Sequence, residues 1–117
     1  MATMKLFGAG TYAAFASADL SNNMHYLAKV GTDGLIALAG NGDPVAGVIF
    51  EPGSTTLPVT IQTLGEGKAI AGAAVTAGDR LQSDGSGKAI TLAGGVAFGI
   101  ARNSAASGER VEFTFGR

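Results

Sequence analysis

From Met24 onward, short apolar segments alternate with clusters of Gly, Asp, Asn and Pro, a spacing that predicts strands and hairpins rather than helices. Strands are expected at 24–30, 35–38, 45–50, 57–64, 68–71, 80–83, 88–92, 96–102 and 110–115. Between them lie the breakers Gly31-Thr32-Asp33-Gly34, Asn41-Gly42-Asp43-Pro44, Glu51-Pro52-Gly53, Gly65-Glu66-Gly67, Asp84-Gly85-Ser86-Gly87 and residues 103–108. Each supplies a residue that tolerates positive φ or presets a turn. The last strand shows the period of two most clearly, because Val111, Phe113 and Phe115 alternate with Arg110, Glu112 and Thr114 and so fall on opposite faces of a sheet. In the strand before it, Val96, Phe98 and Ile100 are large while Ala97, Gly99 and Ala101 are small. Both faces of that strand are expected to be covered, with another backbone close to the small one. The alanine-rich stretch 69–77 has some helical character, but Gly72, Val75 and Thr76 favour a loop or short strand. Residues 13–23 can form a helical turn capped by Ser17 or Asp19.

The chain also repeats itself. Residues 26–40 resemble 80–94 at a shift of 54, through Leu27/Leu81, Gly31/Gly85, Ile36/Ile90, Leu38/Leu92, Ala39/Ala93 and Gly40/Gly94. The shift then becomes 52, pairing Gly47 with Gly99, Val48 with Ile100, Val59 with Val111 and Ile61 with Phe113. Two repeats are too few for a solenoid. The pattern therefore predicts an all-β fold, a small barrel or sandwich of two similar four-stranded halves related by a pseudo-twofold, preceded by an N-terminal arm. The expected organisation is an arm at 1–23 and one β domain at 24–117, divided into repeat one (24–64), a connector (65–78) and repeat two (79–117). The matched positions are turns and apolar residues, so specific contacts are expected in the unrepeated arm and connector.

Composition narrows the function classes. The chain has 117 residues, enough for one core, and its 19 glycines and abundant alanine suit thin, closely packed strands. With 15% charged residues and a formal charge of −1, it has no basic patch to neutralise phosphates, so nucleic acid is not an expected partner. No apolar run reaches the roughly 20 residues of a membrane-spanning helix, and no membrane partner is expected. Low charge implies apolar area left at the surface, the mark of a contact face. Near the N-terminus, Lys5 followed by residues 6–16 and then Ala16-Ser17-Ala18 superficially fits a signal peptide. Gly8, Gly10, Thr11 and Tyr12 interrupt its apolar stretch, and an arm or edge strand is the better reading.

Residues that would carry chemistry are sparse. Cysteine is absent, which excludes disulfides, thiol nucleophiles and sulfur-ligated metals. His25 is the single histidine, too few to build the usual zinc site; beside Tyr26 it suits a surface or interface hydrogen bond. No Ser lies in a nucleophile elbow. Gly85-Ser86-Gly87-Lys88 resembles the end of a phosphate-binding loop, but Gln82 and Ala89 stand where the loop needs Gly and Ser or Thr; it is a hairpin turn. Asp33, Asp43, Asp79 and Asp84 lie in or beside glycine turns without the alternating carboxylates of a calcium loop and are read as turn-forming Asx contacts. Nothing singles out a glycosidase pair. An enzyme is not expected, and neither a catalytic residue, a cofactor nor a metal is assigned.

The run from Ala73 through Gly78-Asp79-Arg80-Leu81, Asp84, Gly87-Lys88, Gly99-Ile100-Ala101 and Ala106-Ser107-Gly108-Glu109-Arg110-Val111 resembles the small capsid cement proteins of tailed bacteriophages. Pro44-Val45-Ala46-Gly47-Val48 and Ser54-Thr55-Thr56-Leu57 are similar to a stretch of lambda-like head decoration proteins. The resemblance implies a homotrimer on the outer surface of the expanded head that clamps neighbouring major capsid subunits. It also implies an N-terminal arm that contacts the shell, by adding a strand or by packing beneath the trimer. Leu6, Phe7, Tyr12, Phe15 and Leu20 are the candidate contact residues for capsid or subunit. Two other classes remain open: a carbohydrate- or peptide-binding β-module of a phage fibre or cell surface, and a compact β-barrel enzyme, which would need a deep polar pocket.

Overall fold

The computed structural model describes residues 5–6 and 10–116. They form eleven strands and no helix: β1 (Lys5–Leu6), β2 (Thr11–Ala14), β3 (Leu27–Val30), β4 (Ile36–Leu38), β5 (Gly47–Glu51), β6 (Val59–Gln62), β7 (Glu66–Ile70), β8 (Arg80–Ser83), β9 (Ala89–Thr91), β10 (Gly99–Ala101) and β11 (Arg110–Phe115). Two antiparallel sheets result, one in the order β1-β2-β6-β5-β3-β4 and the other β7-β11-β10-β8-β9. Each sheet curls until an isolated parallel bridge forms across it, from Ala16, just after β2, to Ile36 of β4, and from Ala71, just after β7, to Ala89 of β9. The sheets are not closed into barrels, and together they make a compact sandwich-like fold.

The halves hold five strands each rather than four. In the first sheet β2 lies beside β6, as β7 lies beside β11 in the second. Val59 faces Ala14 where Val111 faces Ala69, and Gly10 and Gly65 precede the two strands with φ of 88° and 81°. Residues 10–20 and 65–75, parts of the expected arm and connector outside the repeat, are thus copies of each other, and a two-residue difference then brings His25 opposite Gly78. The duplication runs from Gly10 to the end of β11. Only β1 has no counterpart among the described residues.

The hydrogen bonds also correct the register. Gly31 N–H donates to Leu35 C=O as Asp84 does to Lys88 (2.9 and 2.8 Å), and Ala39 N–H donates to Leu27 C=O as Leu92 does to Arg80 (2.9 and 2.8 Å). Both pairs are related by 53, not 54. Gly34 and Gly87, the turn residues that require positive φ (81° and 78°), agree with 53 as well. The six identities at a shift of 54 do not mark equivalent positions. A slip of one residue moves a strand's whole pattern to its other face, and glycine and alanine are common enough here to match by chance. The shift of 52 holds, since Ala28 pairs with Gly47 where Leu81 pairs with Gly99.

At the corrected register the two interiors match position by position. Ala14, Ala16, Ile36, Ile49, Val59 and Ile61 fill the first, and Ala69, Ala71, Ala89, Ala101, Val111 and Phe113 fill the second. Two isoleucines become alanines while Ile61 becomes Phe113 and Ala46 becomes Phe98, so volume lost at one wall returns at another. The Phe98 and Phe113 rings meet edge to face at 5.0 Å, and Phe115 continues the stack at 4.8 Å. Leu20, a candidate contact residue, is buried in the first interior where Val75 is buried in the second.

The repeats are not related by a twofold. Leu27 and Val48 of the first are buried against the second interior, whereas their equivalents Arg80 and Ile100 are exposed. A twofold would give equivalent residues equivalent surroundings. The first repeat instead presents its back to the second, head to tail. For the same reason Val96 and Ile100 stand in solvent at 42% and 47% exposure, and the strand expected to be covered on both faces is covered on one. The close approach at its small residue is present: a Cβ on Gly99 would lie 2.5 Å from the Thr114 carbonyl oxygen.

A buried polar clasp fixes the junction. Gln82, 2% exposed, accepts from the amides of Ala93 (2.6 Å) and Gly95 (2.9 Å) and donates to Asn41 Oδ1 across the repeats (3.3 Å). Gly42 N–H donates to Ser83 C=O at 2.8 Å, and Val96 N–H donates to Gly42 C=O at 3.0 Å. The turn aspartates act as read from the sequence: Asp33 accepts from Leu35 N–H, Asp84 from Ser86 and Lys88, Asp43 from Gly40, and Asp79 from Thr76.

Candidate interaction surface

Where β5 pairs with β6 the register jumps, Ile49 facing Ile61 and Glu51 facing Thr60, so Phe50 has no partner residue. Such a bulge redirects a side chain. Phe50 is turned outward and is 56% exposed. It stands over a groove of about 540 Å³ along the outer face of β2 and β6, lined also by Thr11, Ala13, Thr60, Pro52, Pro58, Glu51 and Leu57; Leu57 is 60% exposed. Gly53 lets the chain turn under this wall, because a Cβ there would strike the carbonyls of Leu57 and Pro58.

The duplication supplies an internal control for this face. Phe50 corresponds to Arg102, Leu57 to Glu109, Pro58 to Arg110, Thr60 to Glu112, Thr11 to Glu66 and Ala13 to Lys68. Six charged positions of repeat two are uncharged in repeat one. Glu51 is the exception, with Asn103 as its counterpart. Both faces have the same backbone, so strand geometry does not account for the difference. Charged residues keep the second face wet, with Arg102 paired to Glu66, whereas the first is an apolar groove with a single carboxylate. Depletion of charge around an exposed aromatic is the composition of an interface core.

On its other side Phe50 borders a crevice of about 350 Å³ between the repeats, also lined by His25, Gln62, Glu66, Lys68, Arg102 and Glu112. The Gln62 amide donates to the carbonyls of Leu64 (3.0 Å) and Glu66. His25 has its pKa lowered, first by burial and then by the charges of Arg110 and Lys68, against an opposing contact with the Lys68 backbone. Asp43 is held below the usual carboxylate range, first by its hydrogen bond from Lys29 (2.9 Å) and then by the Gly40 amide. Among the described residues no three of His, Asp and Glu gather to hold a metal.

The residues expected to make contact divide as follows. Leu6 and Tyr12 face each other in the ladder of β1 and β2, and β2 forms one wall of the groove. Phe15 follows that strand and is 46% exposed. Leu20 is taken up by the interior, and Phe7 lies outside the described residues. Phe50, Leu57 and Pro58 were not anticipated. Their signal was present at the correct register, as apolar residues standing opposite arginine and glutamate in the other repeat.

No protein-family model matches the chain, and no curated protein matches it. A solved structure does. The fold resembles that of a bacteriophage head fiber base. The crystal structure of the head fiber gp8.5 N base of bacteriophage phi29 superposes with a TM-score of 0.72, over 97% of this chain and 95% of that one, at 20% sequence identity. The likeness extends over both repeats, and at that identity it speaks for the fold alone.

Proposed function

We propose that this chain is a non-enzymatic structural protein of a bacteriophage virion, seated on the outer surface of the head, where it cements neighbouring major capsid subunits. The observation that carries the reading is the likeness, over nearly the whole of both chains, to the base of a phage head fiber. The groove of repeat one, with Glu51 as its single charge, supplies a face for such a contact, with Phe50 and Leu57 as apolar anchors. On this reading the partners are the major capsid protein and further copies of the chain in a homotrimer, with no cofactor, nucleic acid or membrane. Stabilisation follows from mass action, since whatever binds only the assembled shell favours it, and several weak contacts held together add by avidity.

The test is to mix the purified protein with undecorated, expanded heads and pellet them. Saturable co-pelleting and a raised temperature of head disruption are expected. A protein left wholly in the supernatant ends the proposal. A second reading, the base of a head-attached fibre, is favoured by the named neighbour; co-pelleting without any gain in head stability would select it.

A further inference from the structure

His25 is the one residue other than glycine with positive φ (70°) among the described residues, and its equivalent in the second repeat is Gly78 (φ 91°). The two make the same backbone bond, His25 N–H to Ile49 C=O at 2.9 Å and Gly78 N–H to Ala101 C=O at 2.8 Å. The duplicated turn therefore demands the left-handed conformation, which glycine meets without strain. Around Gly78 an added Cβ would meet nothing within 4 Å. Around His25 there is a second repeat to meet. Its carbonyl accepts from Ile70 N–H of β7 at 3.1 Å, and its ring enters the crevice between the repeats. A side chain kept at a conformation it disfavours, at the copy of the turn that bonds the other repeat, points to a role for that side chain.

We infer that His25 is a proton-operated clasp between the repeats: the neutral ring sits in the crevice and keeps the turn where the His25 main-chain carbonyl accepts from Ile70 N–H, and the protonated ring is expelled, shifts the turn and loosens that bond. The groups facing it come from every surrounding element. Lys68 and Glu66 project from β7, Arg110 and Glu112 belong to β11, and Arg102 follows β10; Gln62 of β6 and Phe50 of β5 are neutral. Glu66 is engaged by Arg102, and Lys88 sits 5.9 Å over the ring of neighbouring Tyr26. A proton on His25 thus enters a partly buried space beside cations. Burial, Arg110 and Lys68 all lower its affinity for the proton, and the Lys68 backbone only partly offsets them. With the folded-state pKa below 6.5, the unfolded or opened form binds protons more readily. The clasp is then complete above pH 6.5 and is lost as the pH falls through the folded value.

The experiment follows the His25 ring by NMR together with hydrogen exchange at two amides, Ile70 across the junction and Phe98, which bonds Leu81 within repeat two. In the wild type the ring should titrate below 6.5. Protection at Ile70, corrected for intrinsic exchange, should fall several-fold on acidification while Phe98 changes little. In His25→Asn and His25→Gly, both suited to positive φ, the pH dependence at Ile70 should vanish. A ring titrating at or above 6.5, an Ile70 amide that ignores pH, or a variant with the wild-type profile overturns the inference. If neither variant folds, the contrast between Ile70 and Phe98 in the wild type still decides.

Discussion

Replacing Phe50 with Arg gives repeat one the residue that repeat two carries at the same place, Arg102, on the same backbone. The fold should accept it, because Phe50 is 56% exposed and the bulge turns it away from both interiors. An aromatic side chain has roughly 150–250 Å² to bury, so the exposed part offers on the order of 100 Å². At about 25 cal/mol per Å², docking that surface contributes about 2.5 kcal/mol. Its loss should weaken attachment on the order of fifty- to a hundredfold, and the cost of desolvating a guanidinium adds to this. The assay is a pelleting titration on expanded heads, with thermal unfolding run in parallel. The expected pair of results is a melting temperature close to that of the wild type and a much weaker affinity. If wild type and F50R bind heads equally tightly, the groove is not the contact face and the comparison of the two repeats has been misread.

Other substitutions probe the junction and the interiors. Gln82→Met keeps the shape but removes the acceptor of the part-buried Ala93 and Gly95 amides; at about 0.5–1.5 kcal/mol for each hydrogen bond lost, urea titration should show a loss of about 1–3 kcal/mol, and equal stability would mean the clasp holds nothing. Gly99→Ala sets a Cβ 2.5 Å from the Thr114 carbonyl oxygen, a backbone clash expected to cost about 1–3 kcal/mol and to lower the melting temperature by about 4 °C for each kcal/mol. Phe113→Ala empties the centre of the second interior, where Phe98 and Phe115 lean on the ring, and should cost about 3–5 kcal/mol in calorimetry. For His25, whose folded pKa is lowered, global stability should rise with pH up to about its ordinary 6.5 and then level; a wild-type profile identical to that of His25→Asn would remove this group from the account.

Much of the fold was legible along the chain because sheet structure writes itself in a period of two and in turn chemistry. The strands Arg80–Ser83 and Arg110–Phe115 have the expected bounds, and the buried positions of the last one, Val111 and Phe113, are those its alternation marks. The turn aspartates were equally plain, since their contacts reach only two to four residues along the chain. Less legible was β2, where Thr11-Tyr12-Ala13-Ala14 is too short and too alanine-rich to declare a strand; what makes it one is the ladder with β6.

The sequence alone determined the class of structure: short strands, glycine turns, two copies and little charge. All of these depend on neighbours near in the chain or on composition. The tertiary structure decided the register of the copies, the head-to-tail packing that buries Leu27 and Val48 while exposing Ile100, the buried role of Gln82 and the place of the interaction groove. These depend on which residues meet across a sheet or between repeats. Glycine and alanine identities are blind to a slip of one residue, whereas a hydrogen-bond ladder is not. With the ladder in hand, the opposition of Phe50 and Arg102 separates a wet face from a docking face.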